Sequence, residues 1–182
     1  MAESFSFDGK DLEVIRKILS RYPHKEAAIL PVLWYAQDKF GHTSPDVQHL
    51  VARTLDVPEA HIHGVVSFYT QFYEKPMGRH VLDVCTCLSC QVCGGYDMLS
   101  YIEDKLGIRA GETTPDGQFS LQSVECLGAC GYAPMLQVTN KQYVNHLTPE
   151  KIDRLIDDLK AGIEPSFESM PPKQHEKDNR LS

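Results

Sequence analysis

The sequence lacks several features that would place it in a common functional class. It has no run of basic residues, and 18 Lys and Arg against 25 Asp and Glu give a formal net charge of −7. An acidic chain of this kind is a poor ligand for phosphate backbones, which excludes nucleic acid as a partner. It also has neither a G-x-G-x-x-G pattern nor a Walker A loop, so the chain has no motif for binding NADH or flavin.

Long apolar segments are missing as well. The longest nearly apolar stretch runs from Ala27 to Ala36 and contains Pro31, whereas a membrane-spanning helix needs about 20 such residues. The first residues, Met1 to Phe5, have neither the basic nor the apolar segment of a signal peptide. We therefore expect a cytoplasmic protein without direct membrane insertion, in which thiols stay reduced.

The pattern of the chain changes at a turn signal, Pro76-Met77-Gly78. Helical apolar spacing over residues 9–72 predicts a helical bundle, which defines a first domain of residues 1–76. Residues 77–162 read as strand, helix, three strands and a helix, which predicts a compact α/β domain. Residues 163–182 are rich in proline and polar side chains, which predicts an extended or disordered tail, or an arm lying on a partner.

The six cysteines are clustered rather than spread along the chain, which argues against a disulfide framework. They occupy positions 85, 87, 90, 93, 126 and 130. Cys85 follows a predicted strand at residues 80–84, and Cys126 stands at the end of another predicted at 119–126. Loops that follow two strands can converge at one edge of a sheet, and four thiolates from two such loops suit zinc or an iron–sulfur cluster.

The spacing of the cysteines favours iron–sulfur over zinc. Structural zinc usually takes C-x2-C pairs, and Cys87 and Cys90 form one, but Cys126 and Cys130 are spaced C-x3-C and no histidine is close. The C-x4-C spacing of Cys85 and Cys90 suits a wider, two-iron centre. A zinc-stabilised interaction module and a thiol carrier that uses Cys87-x-x-Cys90 remain the alternatives.

Three ligand sets are compatible with an iron–sulfur cluster. A two-loop set joins Cys85 and Cys90 to Cys126 and Cys130. A plant-type ferredoxin set replaces Cys130 with Cys93. Cys87, Cys90 and Cys93 also match the opening of a four-iron motif, but the Cys-Pro pair that completes this motif is missing nearby. Spacing alone favours the two-loop set only modestly.

Longer motifs add a family resemblance. They are Asp116-Gly117-x-Phe119-Ser120, Val124-Glu125-Cys126-Leu127-Gly128-Ala129-Cys130-x-x-Ala133-Pro134, Gly64-Val65-x-Ser67-Phe68-Tyr69 and Cys85-x4-Cys90. With these motifs, residues 10–160 resemble the thioredoxin-like 2Fe–2S subunit of NADH:quinone oxidoreductase, respiratory complex I. The same pattern occurs in NAD-linked formate dehydrogenases and hydrogenases.

The resemblance implies a fold, a cofactor and a ligand set. The expected fold is α/β, an N-terminal helical bundle followed by a thioredoxin-like 2Fe–2S ferredoxin domain. The expected cofactor is one 2Fe–2S cluster held by Cys85, Cys90, Cys126 and Cys130. Cys87 and Cys93 are extra to the family's pattern and are interpreted as neighbouring or bystander thiols.

The resemblance also implies a function. We expect an electron-transfer subunit that accepts single electrons from the flavin of a partner subunit, with FMN and NADH bound only on that partner. The chain would then be part of an oxidoreductase rather than a complete enzyme, beside further iron–sulfur subunits. Through its complex it would lie peripherally on the cytoplasmic side of the inner membrane. The equivalent subunit of a formate dehydrogenase or hydrogenase is the alternative parent.

Overall fold

The structure, a computed structural model, describes residues 5–163 and residue 165. The chain separates into two compact units, Met1–Met77 and Gly78–Ser182. Each unit has its own hydrophobic core. The predicted tail at residues 163–182 lies outside the described part of the chain, apart from residues 163 and 165. Within that described part, no helix is both long enough and apolar enough to cross a membrane.

The N-terminal unit is helical, as the apolar spacing predicts. Its elements are α1 (Gly9–Leu19), a 3-10 turn (Lys25–Ala28), α2 (Ile29–Phe40), α3 (Pro45–Leu55) and α4 (Glu59–Phe68). The apolar stripes of these helices meet in one core, which includes Ile15, Val32, Leu33, Val47, Val51 and Ile62. Ser44 stands at the N-terminus of α3, but its side chain makes no capping hydrogen bond.

The C-terminal unit is built on a four-stranded mixed sheet. Its strands are β1 (His80–Cys85), β2 (Phe119–Val124), β3 (Leu136–Val138) and β4 (Gln142–Val144), arranged in the order β2-β1-β3-β4. β1 is parallel to β2 and antiparallel to β3, and β3 is antiparallel to β4. The helices are α5 (Leu88–Val92), α6 (Gly95–Leu106) and α7 (Pro149–Lys160), with a 3-10 turn at Cys130–Tyr132.

Successive side chains of β1 point to opposite faces of the sheet. Leu82 and Val84 point into the core that Ile102 of α6 and Ile156 of α7 complete. Cys85 points to the other face of the sheet, as period-two alternation requires, and lies in a separate apolar cluster. The helical N-terminal part followed by this sheet with its helices is the α/β arrangement that the sequence predicts.

The secondary structure near the cysteines differs from the sequence expectation at two points. Strand β2 ends at Val124 rather than at residue 126. Helix α5 was not predicted. A helix of five residues is too short to show an apolar period, so sequence patterns give no signal for it.

An ion pair in the N-terminal unit joins the buried Asp11 carboxylate to the partly exposed Lys39 side chain. The Asp11 carboxylate accepts a hydrogen bond from the Tyr35 hydroxyl at 2.7 Å and contacts the Lys39 ammonium. The bond from Lys39 lowers the pKa of Asp11 most, and with the bond from Tyr35 it brings that pKa to about 2. The same carboxylate raises the pKa of Tyr35 to about 12. The ionised form of Asp11 is therefore the one that stabilises the fold.

We expect Asp11→Asn to lower the urea midpoint of unfolding at pH 7. A carboxyl group whose pKa falls on folding stabilises the native state above its unfolded value, near 3.8, and loses that contribution as the pH falls towards 2. The difference between the variant and the wild-type protein should therefore shrink between pH 4 and about 2. Urea titrations at pH 7, 4 and 2.5 measure it, and a difference independent of pH would contradict the charge-based explanation.

Candidate metal centre

The two cysteine-bearing loops leave the sheet at the same edge. β1 and β2 run parallel in a register that pairs Cys85 with Val124. Just beyond the strands, the Thr86 N–H donates to the Val124 carbonyl at 3.0 Å. Because parallel strands end on one side of a sheet, the segments that follow them start beside each other. This confirms that the loops converge as their positions after two strands predict.

The first loop carries four cysteines in different environments. Cys85 is the last residue of β1 and Cys90 lies within α5; both are buried, each 2% exposed. Cys87 precedes α5 and is half-buried, whereas Cys93 follows α5 and is exposed. The first loop therefore offers two buried thiols and, at the N-terminus of α5, a third at an intermediate depth.

The second loop, Cys126 to Cys130, brings its two thiols close together. The Cys126 and Cys130 sulfur atoms are 3.4 Å apart, and both residues are exposed. Gly128 lies between them with φ of +79°, a backbone conformation that favours glycine. In this conformation its N–H donates to the Cys126 sulfur at 3.4 Å. The loop thus supplies a thiol pair and a backbone donor directed at one of its members.

Contacts between thiols join the two loops. Cys90 is hydrogen-bonded to Cys85 within the first loop, and Cys126 is hydrogen-bonded to Cys87 across the loops. Ser89 of the first loop is likewise bonded to Cys130 of the second. Apolar neighbours surround the buried thiols, among them Ala129, Met135, Tyr132 and Tyr143. Five cysteines thus share one site, and Cys93 is absent from these contacts.

The protein environment separates the acidities of the thiols. Burial, reinforced by the hydrogen bond with Cys85, raises the pKa of the Cys90 thiol to about 11. The Gly128 N–H and then the bond with Cys130 lower the pKa of Cys126, whereas the bond with Cys126 raises the pKa of Cys130. In the free protein, Cys126 is therefore the thiol of this pair that ionises first, with Cys130 donating to it.

The donor set fits an iron–sulfur cluster better than a single metal ion. The donors are the soft sulfur atoms of cysteine thiols. Structural zinc needs four donors around one point. The thiols instead lie as pairs, Cys85 with Cys90 and Cys126 with Cys130. A binuclear cluster distributes its four ligands over two irons, which suits paired thiols.

Comparison with known proteins agrees with this geometry. Residues 15–160 match the profile of the family described as "Thioredoxin-like [2Fe-2S] ferredoxin". The chain belongs to this family. Membership confirms the predicted fold and the predicted cofactor type, one 2Fe–2S cluster.

Relatives with similar sequences carry names from one enzyme. The chain is 42% identical over 150 residues to a protein of Rhizobium meliloti named as a subunit of NADH-quinone oxidoreductase, a match that covers 82% of this chain and 89% of the relative. It is 37% identical over 158 residues to "NADH-quinone oxidoreductase subunit 2" of Thermus thermophilus, covering 86% and 87% of the two chains. The resemblance recognised from the cysteine motifs is therefore confirmed.

Similarity to solved structures extends to another oxidoreductase. The fold matches part of an NAD⁺-reducing [NiFe]-hydrogenase with a TM-score of 0.60 at 19% sequence identity. The match covers 76% of this chain but only 24% of the hydrogenase chain. At this level of identity the match shows a shared fold.

Gly95 supports the site, and its only signal in the sequence is that it is a glycine within a helix. Gly95, the buried first residue of α6, packs against the backbone of the first cysteine loop. A methyl group at this position would lie 2.8 Å from the Cys90 carbonyl oxygen and 3.0 Å from the Cys85 carbonyl oxygen. Both atoms belong to backbone rather than to flexible side chains, so they cannot move aside cheaply. Gly95 therefore sets how closely α6 approaches the two buried cysteines.

We expect Gly95→Ala to destabilise the protein by about 1–3 kcal/mol, the usual cost of overpacking, and to lower its iron content. Gly64→Ala is the matched control, because an alanine there meets no atom within 4 Å. In the middle of α4 this control should instead stabilise the fold by about 0.5–1 kcal/mol. Denaturant unfolding and iron analysis of both variants measure the difference. Equal iron content and equal stability in the two would contradict the close contact.

Proposed function

We propose that this chain is the electron-transferring thioredoxin-like 2Fe–2S subunit of an NADH:quinone oxidoreductase. The observation that carries the proposal is the pairing of thiols at one sheet edge, in a chain that aligns over most of its length with relatives bearing that enzyme's name. Cys85, Cys90, Cys126 and Cys130 hold the cluster, one pair from each loop. When bound, the cluster supplies one-electron transfer at a potential that the protein adjusts.

Different residues of the chain hold the cluster, shield it from water and support its negative charge. The buried pair, Cys85 and Cys90, anchors the site to β1 and α5 within an apolar shell that excludes water. The exposed pair, Cys126 and Cys130, lies on the solvent side, where a partner can approach. The Gly128 N–H supports negative charge on the Cys126 sulfur. Cys87 contacts Cys126 without being one of the four ligands, and Cys93 stays outside the site.

A flavin-bearing and NADH-binding subunit is the partner that this chemistry requires. Flavin accepts two electrons as a hydride and releases them singly, so it needs a one-electron acceptor close by, and this chain has no nucleotide-binding motif of its own. Large apolar side chains beside the site are exposed: Leu88 by 71%, Val92 by 78% and Tyr96 by 52%. This cluster of side chains is the surface that the partner covers. Further iron–sulfur subunits complete the assembly, on the cytoplasmic side of the inner membrane.

The ligand assignment predicts the composition of the purified protein and the effect of two variants. The wild-type chain should hold two irons and two acid-labile sulfides. Cys130→Ser should lose the cluster or change its spectrum strongly, because iron in these clusters favours sulfur over oxygen. Cys93→Ser, which removes an exposed thiol outside the site, should keep its iron content and visible absorption. Iron and sulfide analysis with absorption spectroscopy of all three proteins measures this.

The opposite pattern, a colourless Cys93→Ser beside a coloured Cys130→Ser, would show plant-type ligation. One zinc per chain without labile sulfide would show that the chain is a structural module and not an electron carrier. Four irons per chain would also contradict the assignment.

The proposed partner surface predicts a loss of binding to the flavin subunit that is separate from any loss of the cluster. Leu88→Ser combined with Val92→Ser should weaken binding to the flavin subunit at least about tenfold, since burying one such side chain contributes roughly 1.5–3 kcal/mol. Both side chains are already exposed, so iron content should not change. Leu88→Met with Val92→Ile keeps the apolar area and should bind normally. Equal affinity of the serine and conservative pairs for the purified flavin subunit would place the interface elsewhere.

A further inference from the structure

Tyr143 ties the second cysteine loop to the sheet. It is the central residue of β4 and is half-buried against the apolar cluster around Cys85 and Cys90. Its hydroxyl donates a hydrogen bond of 2.9 Å to the Leu127 carbonyl. Leu127 follows Cys126 directly, so a side chain of the sheet fixes the backbone next to one of the proposed ligands.

The peptide group that Tyr143 contacts also contacts Cys126. The Leu127 carbonyl and the Gly128 N–H belong to one peptide unit, and that N–H donates to the Cys126 sulfur at 3.4 Å. A peptide unit is planar, so a bond that fixes its oxygen also fixes the direction of its N–H. Hydrogen bonds in a chain polarise one another, so a donor on the carbonyl makes the N–H a stronger donor. Tyr143, the peptide and the Cys126 sulfur thus form one hydrogen-bonded chain.

The local backbone makes this external bond important. Residues 126–129 lie outside regular secondary structure, between β2 and the short 3-10 turn that begins at Cys130. Gly128, at φ of +79°, has wide conformational freedom. A bond from the sheet to the Leu127 carbonyl restricts the rotation of the peptide unit that would otherwise turn the N–H away from the sulfur.

We propose that Tyr143 is a positioning residue that sets the reduction potential of the cluster through the Leu127–Gly128 peptide. The inference rests on the proposed function, because it requires Cys126 to be a ligand. Hydrogen bonds to cluster sulfurs stabilise the more negative, reduced state and so raise the potential. Tyr143 therefore favours reduction without touching the cluster.

The test is Tyr143→Phe in the iron-loaded full chain, with Tyr132→Phe as the matched control. Tyr132 packs in the same apolar cluster, but the hydrogen bonds described for residues 5–163 include none from its hydroxyl. Tyr143→Phe should keep two irons, shift the midpoint potential to a more negative value and change the EPR g values of the reduced protein. Tyr132→Phe should match the wild-type protein in all three measurements.

A second variant reverses the sign. A ring-fluorinated tyrosine at position 143 has a more acidic hydroxyl and is a stronger donor, so below the pH at which it ionises the potential should shift to a more positive value. Opposite shifts from the two changes at one position cannot arise from a general loosening of the fold.

Each other result overturns the inference. An unchanged potential in Tyr143→Phe would show that the hydrogen bond from Tyr143 does not set the potential, and the cluster assignment would stand. Loss of iron in Tyr143→Phe alone makes the residue a structural support. A wild-type chain without two irons would contradict the proposed function itself. Iron analysis of the wild-type chain therefore distinguishes failure of the proposed function from failure of the inference about Tyr143.

Discussion

The parallel pairing of β1 with β2 is the constraint on which the site depends. Neighbouring strands lie about 4.8 Å apart, and the register that pairs Cys85 with Val124 brings both loops to one edge at that spacing. A slip of one residue would turn Cys85 from its apolar cluster to the face where Leu82 and Val84 pack against helices. The buried core that fixes the register thus also fixes the distance between the thiol pairs.

The two thiol pairs meet different surroundings because Cys85 and Cys90 lie on β1 and α5, whereas Cys126 and Cys130 lie on an exposed loop. Cys90, whose pKa burial raises to about 11, holds its proton at neutral pH in the free protein. A metal must displace that proton, since thiolates are the form that binds. Under the ligand assignment proposed above, assembly of the cluster releases protons and becomes easier as the pH rises.

Sequence patterns predicted the parts of the molecule that depend on local or periodic signals. The placement of cysteines after strands anticipated the convergence of the loops, and the helical spacing of apolar residues anticipated the helices of the N-terminal unit. The patterns missed α5, because it is shorter than the period they detect. They also missed the contacts of Tyr143 and Gly95. Tyr143 is 16 residues from Leu127 in the chain, and tertiary contacts of this kind leave no periodic trace.

The segment between α6 and β2 has a consequence for how such chains diverge. Leu106 ends the helix and Phe119 begins the strand, and the turn at residues 114–117 lies between them. Residues 111–114 of this segment are hydrogen-bonded to β2: the Gly111 N–H donates to the Leu121 carbonyl, and the Thr114 N–H donates to the Phe119 carbonyl. The segment therefore extends the pairing that holds β2 beside β1. Insertions and deletions between relatives should accordingly be as rare here as in the C-x3-C spacing of Cys126 and Cys130.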